Sequence, residues 1–327
     1  MSGQLFGVLD LMSANAEISR DMMTMIVTMI SQGSINVASN IYYLGIDAGG
    51  SHCRARLTDA QGVVLGTGQS GPANTRIGLD ALHERLLETC AQATGMAGLS
   101  VAEIATIHVG MGIAGITRSG AKAKLKAMPF PFANVTLTSD AIIANLGAHL
   151  GADGATLILG TGSIGIIKLG EDNLSIGGYG FPVSDEGSGA ALGLSAIRHA
   201  LRALDGRTRP TPLSQDITKQ FDNATARIVV WMDSATPTNY ATFAPLVMDY
   251  AENGDDIAVS IVRDAAIHVE RFIETIFARG APRCALAGGL SARMKPWLRA
   301  RIAEQICEPQ GDALDGALLL AGLAQAR

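Results

Sequence analysis

The segment Tyr42–Ser51 places an acid and two glycines directly after an apolar run, a combination that could bind a phosphate. The strand predicted over Asn40–Ile46 is apolar enough to be buried. Asp47 then lies at its carboxyl end, where α/β proteins place ligands. A tight hairpin with Asp47 as a turn residue would explain the same residues without a ligand.

The glycine turn after Asp47 could supply the groups that hold an anion. Gly49 and Gly50 allow the backbone to approach closely and to point N–H groups at an anion, and Ser51 adds a hydroxyl. The run His52–Thr58 reads as the returning strand of a hairpin. The stretch contains neither G-x-x-x-x-G-K-[ST] nor G-x-G-x-x-G, so we expect a phosphate cradle of a different kind, built on a β-hairpin.

A second hairpin of the same type occurs in the other half of the chain. The apolar run that begins at Ala155 ends in the turn Gly160, Thr161, Gly162 and Ser163, and the strand Ile164–Leu169 returns from it. One glycine-turn hairpin in each half indicates a duplicated architecture with a nucleotide held between two lobes.

Strands and helices alternate after each hairpin, which predicts an α/β fold with a mixed sheet in each half. The closing helix over residues 314–323 is too apolar to be free in solution, so we expect it to pack on the first lobe. The predicted strands cover residues 40–46, 52–58, 62–67, 104–110, 134–140, 155–160, 164–169, 173–177 and 281–289, and the predicted helices cover residues 79–93, 118–127, 141–150, 190–204, 296–307 and much of 206–280.

Composition limits the possible functions. The chain has 327 residues, of which 48% are hydrophobic and 17% charged, which is ordinary for a soluble protein of two domains. The net charge of −5, with no evident basic cluster, argues against a nucleic-acid partner. The four cysteines are widely spaced, which indicates reduced thiols in a cytoplasmic protein. Residues 1–39 predict a poorly ordered extension, and the apolar run in residues 22–30 is too short to span a bilayer.

The ordered set of motifs resembles the BadF/BadG/BcrA/BcrD-type ATPase family, and within it the amino-sugar kinases, members of the sugar kinase/actin/Hsp70 superfamily. The resemblance covers about residues 41–325. The motifs that carry it are Gly45–Ser51, Thr138–Asp140, Leu159–Ser163, Gly178–Gly180, Ser184–Ser188 and Ala287–Gly289.

This resemblance implies two ribonuclease-H-like, actin-like lobes with mixed sheets flanked by helices and a ligand cleft between them. Residues 40–150 would form the first lobe, with residues 312–327 packed on it, and residues 151–311 the second lobe with a helical insertion. It also implies ATP and Mg²⁺ as cofactors, an amino sugar as acceptor, glucosamine or N-acetylglucosamine, and phosphorylation of the 6-hydroxyl. A homodimer is compatible with it.

The family's site residues can be transferred position by position. The phosphate-binding turns correspond to Gly49, Gly50 and Ser51 and to Gly160, Thr161 and Gly162, and the adenosine-side turn to Gly288 and Gly289. Asp47 is suited to hold Mg²⁺ through water, because that ion keeps much of its hydration shell. The catalytic residue corresponds to Asp140, and the sugar contacts correspond to Asn74, Ser163, Gly178, Tyr179, Gly180 and Asp185.

Each polar position also has a purely structural explanation. Asp140 and Asp185 precede helices and could cap them, and Asn74 could simply form a turn. Tyr179 could stack on a sugar or belong to the core. Ile164 and the Gly178–Gly180 loop depart from the N-acetylglucosamine kinase pattern, which leaves glucosamine and N-acetylglucosamine both open.

Other functions remain as alternatives. The same broad family contains ATPases that activate radical dehydratases through a cysteine-bound iron–sulfur cluster, and the cysteine positions here argue against that function. An ATP-binding sensor protein would need neither Asp140 nor the sugar loop, by which we mean the predicted sugar-binding segment Gly178–Asp185. A kinase for another hexose is the third alternative.

Overall fold

Within residues 41–118 and 120–324, which the computed structural model describes, ten strands form two five-stranded mixed sheets. The first sheet has the order β3-β2-β1-β4-β5, and the second has the order β10-β9-β6-β7-β8. The strands are β1 (Tyr43–Ala48), β2 (Cys53–Thr58), β3 (Val64–Ser70), β4 (His108–Ile113), β5 (Asn134–Thr138), β6 (Gly154–Leu159), β7 (Ser163–Leu169), β8 (Asp172–Gly177), β9 (Cys284–Ala287) and β10 (Ile306–Cys307).

Helices flank both sheets. They are α1 (Leu79–Met96), α2 (Val101–Ile104), α3 (Ala121–Lys126), α4 (Asp140–Ala148), α5 (Gly189–Leu204), α6 (Pro212–Lys219), α7 (Thr225–Ser234), α8 (Pro237–Ala241), α9 (Ala244–Glu252), α10 (Asp256–Ala278), α11 (Ser291–Met294), α12 (Ala300–Ala303) and α13 (Ala313–Ala321), with 3₁₀ turns at Thr75–Ile77 and Lys295–Trp297. The predicted α/β fold with two mixed sheets is confirmed.

The second sheet repeats the first in both order and direction. β1 pairs with β2 antiparallel and with β4 parallel, and β6 pairs in the same way with β7 and with β9. Each half also has its own hydrophobic core, one built around Leu44 and Ile46, the other around Leu157 and Ile273. The glycine turns therefore follow equivalent strands of a duplicated unit.

The closing helix α13 packs on β1, β4 and α4 of the first half. Glycines make this contact close: a Cβ atom added at Gly110 would lie 2.1 Å from the carbonyl oxygen of Ala317, and one at Gly316 would lie 1.8 Å from that of Ile143. Arg56 on β2 holds the start of α13 through Asp312 at 2.8 Å and Asp315 at 2.6 Å.

Helix α4 connects the two sheets. It packs on β4 of the first sheet and on β6 and β7 of the second. Thr156 on β6 donates a hydrogen bond to Asn145 Oδ1 at 2.8 Å, and His149 Nε2 donates to the Ala155 carbonyl at 2.7 Å. These three polar side chains are buried, so the hydrogen bonds fix α4 against the second sheet.

Some predicted boundaries were wrong. Residues 104–107 precede β4 as the end of α2 and a turn, because Ser100 and Glu103 form a capping box that starts a short helix there. Residues 296–307 contain a 3₁₀ turn, the short α12 and β10 in place of one helix. Strand β1 extends to Ala48, so Asp47 lies within its last two residues.

The division of the chain into domains remains a prediction. The described residues, 41–118 and 120–324, form one unit by their contacts. The predicted extension, residues 1–39, lies outside the described residues.

Candidate active site

The first glycine turn connects β1 to β2 and leaves free donors. The Gly49 N–H donates to the His52 carbonyl at 2.9 Å, so this group closes the hairpin and is not available to an anion. Among the described residues, the N–H groups of Gly50 and Ser51 have no hydrogen-bond partner. A Cβ atom at Gly50 would meet nothing within 4 Å, which leaves the space that a closely approaching phosphate would need.

Asp47 has a cationic neighbour that the sequence analysis missed. Arg54 Nη2 lies 2.6 Å from Asp47 Oδ2, and the two residues are directly opposite each other in the β1–β2 register. The Asp47 side chain is 19% exposed. Hydrogen bonding to Asp47 raises the pKa of Arg54, so the guanidinium stays charged. The sequence could have revealed this pair, because a four-residue turn between the two strands places Asp47 and Arg54 opposite each other.

The second glycine turn is positioned by the start of α5. The carbonyl oxygens of Gly160 and Thr161 accept hydrogen bonds from Gly189 N at 2.8 Å and Ala190 N at 3.1 Å. The N–H groups of Thr161 and Gly162 have no partner among the described residues, and a Cβ atom at Gly160 would meet nothing within 4 Å. This turn therefore offers free donors and open space, as the first one does.

The Gly288–Gly289 turn lies beside the second glycine turn, since β9 and β6 are parallel neighbours. Gly288 has φ +92°, and a Cβ atom there would lie 2.3 Å from the carbonyl oxygen of Leu159. Only glycine fits this position. Gly289 faces open space. The parallel pairing of β9 and β6 thus places two predicted nucleotide-binding turns at the same end of the second sheet.

Asp140 is the first residue of α4, directly after β5 and Ser139. The N-cap is Ser139, whose Oγ accepts from the Ile142 N–H at 3.2 Å, while Asp140 Oδ1 accepts from the Ala141 N–H at 3.0 Å. Burial raises the pKa of the Asp140 carboxyl, the Ala141 hydrogen bond opposes this, and the negative charge of Asp47 raises it further. A half-buried carboxylate of increased basicity suits proton abstraction.

Asp185 belongs to the predicted sugar loop, and its side chain contacts the second glycine turn. A Cβ atom at Gly162 would lie 2.9 Å from Asp185 Oδ2, so the carboxylate lies against that turn. Asp185 is 8% exposed and adopts φ +71°, an uncommon conformation for a residue other than glycine. Burial raises its pKa, which the backbone N–H groups of Ser163, Phe181 and Gly180 oppose. Asp185 does not cap α5, because Ser188 does.

The remaining predicted sugar contacts have different surroundings. Asn74 Oδ1 accepts from the Arg76 N–H at 2.9 Å, and its backbone pairs with Ala114 after β4. Ser163 is buried, and its hydroxyl donates to the Glu186 carbonyl at 2.8 Å. Tyr179 is 84% exposed, so the interpretation as a core aromatic is wrong. Gly178 and Gly180 flank Tyr179 with positive φ.

The side chains near the first glycine turn fit a Mg²⁺ ion that takes one ligand from the protein and the others from water and phosphate oxygens. Among residues 41–118 and 120–324, no group of three or more His, Cys, Asp or Glu side chains could hold a metal ion. Mg²⁺ commonly takes one or two carboxylates and completes its shell with waters and phosphate oxygens. Asp47, beside a turn with free N–H donors, matches that requirement.

Two sheets of repeated order, with glycine turns after equivalent strands and an acid after β5, define the actin-like fold of the sugar kinases. The chain belongs to the BadF/BadG/BcrA/BcrD ATPase family, whose model matches residues 44–321. The predicted resemblance is confirmed, and membership implies the use of ATP. Of the residues that the structure describes, no helix has the length and apolar character to cross a membrane.

Proteins similar to this chain are sugar kinases by name. Glucosamine kinase GspK of Vibrio cholerae is 38% identical over 86% of this chain and 96% of the relative. The N-acetylmuramic acid/N-acetylglucosamine kinase of Clostridium acetobutylicum is 30% identical over 69% of this chain and 76% of the relative. A solved structure from Chromobacterium violaceum, described as a candidate N-acetylglucosamine kinase, is 31% identical with a TM-score of 0.81, covering 86% of this chain and 99% of that one.

Proposed function

We propose that this protein transfers the terminal phosphoryl group of ATP to the 6-hydroxyl of an amino sugar, glucosamine or N-acetylglucosamine. The observation that carries the proposal is the position of Asp140 directly after β5, in a fold that contains the glycine-turn hairpin twice. Asp140 is a half-buried carboxylate, and burial together with the negative charge of Asp47 raises its pKa. The names of the relatives support an amino sugar as the acceptor.

In the proposed reaction, the Asp140 carboxylate accepts the proton of the attacking hydroxyl. The new bond joins the sugar oxygen to the γ-phosphorus, and the bond between that phosphorus and the β,γ-bridging oxygen breaks, which releases ADP. Phosphoryl transfer depends mainly on positioning and charge stabilisation. The free N–H groups of Gly50, Ser51, Thr161 and Gly162 would position phosphate oxygens.

Mg²⁺, held by Asp47, would neutralise phosphate charge. Gly288 and Gly289 would lie against the adenosine side. Asp185, together with Asn74, Ser163, Gly178, Tyr179 and Gly180, would contact the sugar. The same proposal includes a cytoplasmic location, a homodimer, and no nucleic-acid or membrane partner.

An assay of ADP release tests this function directly. Purified full-length protein with Mg·ATP is offered glucosamine, N-acetylglucosamine, N-acetylmuramic acid, N-acetylmannosamine and glucose. We expect release above background with at least one hexosamine, and a preference for glucose would favour the other-hexose alternative. Release with none of these sugars by folded protein that binds ATP would contradict the proposal.

The dehydratase-activator alternative has weaker support. An exchangeable iron–sulfur cluster at a subunit interface needs accessible thiolates, whereas Cys53, Cys90 and Cys284 are buried. Burial raises the pKa of Cys284 to about 12, which disfavours the thiolate that would bind iron. Iron analysis of protein purified without oxygen distinguishes the two functions.

A further inference from the structure

A basic cavity lies beside Asp140 and is not used by the proposed transfer. It has a volume of about 620 Å³ and opens to solvent between α3, the loop after β4 and the start of α4. Its lining includes three cations and three hydroxyl groups, on Arg118, Lys122, Lys126, Thr117, Thr138 and Ser139.

Within the described part of the chain, the cations of this cavity, Arg118, Lys122 and Lys126, form no ion pair. The sequence from residue 104 to residue 139 contains no Asp or Glu, although the whole chain carries a net charge of −5. Lys122 and Lys126 are four residues apart on one helix, a spacing at which like charges destabilise. A bound anion would relieve this repulsion.

The lining of the cavity includes residues next to the proposed acceptor site. Ser139 and Ile142, which line it, flank Asp140 on the first turn of α4. The loop after β4 carries Arg118 and also contacts the segment of Asn74, since Thr75 N donates to the Ala114 carbonyl at 3.2 Å. An acceptor placed against Asp140 and Asn74 would therefore have this cavity as its neighbour.

We propose that the cavity is an anion-binding subsite that takes the carboxylate or phosphate of a small molecule. Arg118 suits a two-point contact with a carboxylate or phosphate, and Lys122 and Lys126 add positive charge. The anion has two sources: an acidic substituent on the acceptor sugar, or a separately bound sugar phosphate. The first source rests on the proposed function, and it predicts that an acidic amino sugar is favoured over the cationic glucosamine.

The first experiment compares N-acetylmuramic acid with N-acetylglucosamine as acceptors of the full-length protein. In Lys122→Gln/Lys126→Gln, the ratio of kcat/KM for the acidic sugar to that for the neutral sugar should fall about tenfold or more, since charge-assisted contacts are lost. Lys124→Gln is the matched control, because Lys124 is an exposed lysine of α3 outside the cavity lining. Its ratio should stay at the wild-type value.

The second experiment titrates inorganic phosphate and glucosamine 6-phosphate into the same proteins by calorimetry, which requires no turnover. Binding that weakens in Lys122→Gln/Lys126→Gln but not in Lys124→Gln, with an unchanged acceptor ratio, identifies a separate anion as the source. The same binding result in a wild type that phosphorylates no sugar would contradict the proposed function and support the subsite. If the double variant and Lys124→Gln match the wild type in both experiments, the subsite proposal is overturned.

Discussion

Arg54 Nη2 lies 2.6 Å from Asp47 Oδ2, so the acid proposed to hold Mg²⁺ already has a cation of the protein as its partner. The pair faces across the β1–β2 hairpin, directly before the first glycine turn. A carboxylate has two oxygens with about four lone-pair sites, so Asp47 could bind the guanidinium and a metal-bound water at the same time. The positive charge of Arg54 would still repel a second cation at this carboxylate and so weaken Mg²⁺ binding.

This relationship predicts opposite metal dependences for two variants. Asp47→Asn should raise the Mg²⁺ concentration for half-maximal activity by about 10–100-fold, the usual effect of losing a water-mediated ligand contact. Arg54→Gln should lower this concentration, because the positive charge that repels Mg²⁺ at Asp47 is gone. Mg²⁺ titrations at saturating ATP and sugar measure both, with melting temperatures to exclude misfolding. An unchanged Mg²⁺ dependence in Asp47→Asn would assign this acid a structural role.

Asp140→Asn should reduce kcat by about 10²–10⁴, the range for a positioned general base. ATP binding should persist, since the Asn side chain can still accept the Ala141 N–H hydrogen bond. Asp80→Asn is the control: Asp80 is an exposed acid in the first turn of α1, and its loss should leave kcat unchanged. Single-turnover rates and calorimetric ATP binding make the comparison. Near-normal turnover in Asp140→Asn would leave Asp140 with only a helix-end role.

The raised pKa of Asp140 also predicts a stability effect with a definite sign. The folded state binds this proton more tightly than the unfolded state, so the carboxyl contributes stability at low pH that is lost as the pH rises through its folded pKa. Asn does not ionise. Asp140→Asn should therefore unfold at a higher urea concentration than the wild type at neutral pH, and the advantage should shrink as the pH is lowered toward about 3.9. Lower stability of the variant at neutral pH would show that the ionised carboxylate is stabilising.

Asp185→Asn should raise KM for the sugar much more than KM for ATP. Asn is the suitable replacement, because it tolerates the left-handed conformation of this residue better than Ala does. Asp172→Asn, an exposed acid on β8, is the control. Initial rates with each substrate varied in turn give both constants. Equal increases in both would indicate that Asp185 supports the second glycine turn and does not contact sugar.

Gly316→Ala should destabilise the protein by about 1–3 kcal/mol or more, because its Cβ would lie 1.8 Å from the Ile143 carbonyl oxygen and push α13 away from α4. Gly95→Ala is the opposite case, since this helical glycine has nothing within 4 Å of the added atom. It should stabilise by about 0.4–1 kcal/mol. Urea unfolding of both variants measures the difference. Tolerance of Gly316→Ala would mean that the two helices can separate without cost.

The local sequence was sufficient for features that depend on neighbouring residues. The turns at Gly49 and Gly160 follow strands that the sequence identifies, because in both places an apolar run ends in glycines and a second strand-like run returns directly after them. The repetition of this pattern predicted the duplicated sheets, and the ordered motifs predicted the family. The local reading failed at residues 104–107, where the capping box of Ser100 and Glu103 outweighs the apolar character of the following residues.

Tertiary structure decided which distant residues meet. Asp185 lies against Gly162 because the loop before α5 folds back on the second turn, and the exposure of Tyr179 depends on the same loop. Arg118, Lys122 and Lys126 line one cavity because α3 packs on β5, the strand that leads into α4. Hydrophobic periodicity determines which face of an element is buried. It does not determine which polar groups from other elements come within contact distance, because that depends on how strands and helices far apart in the chain pack together.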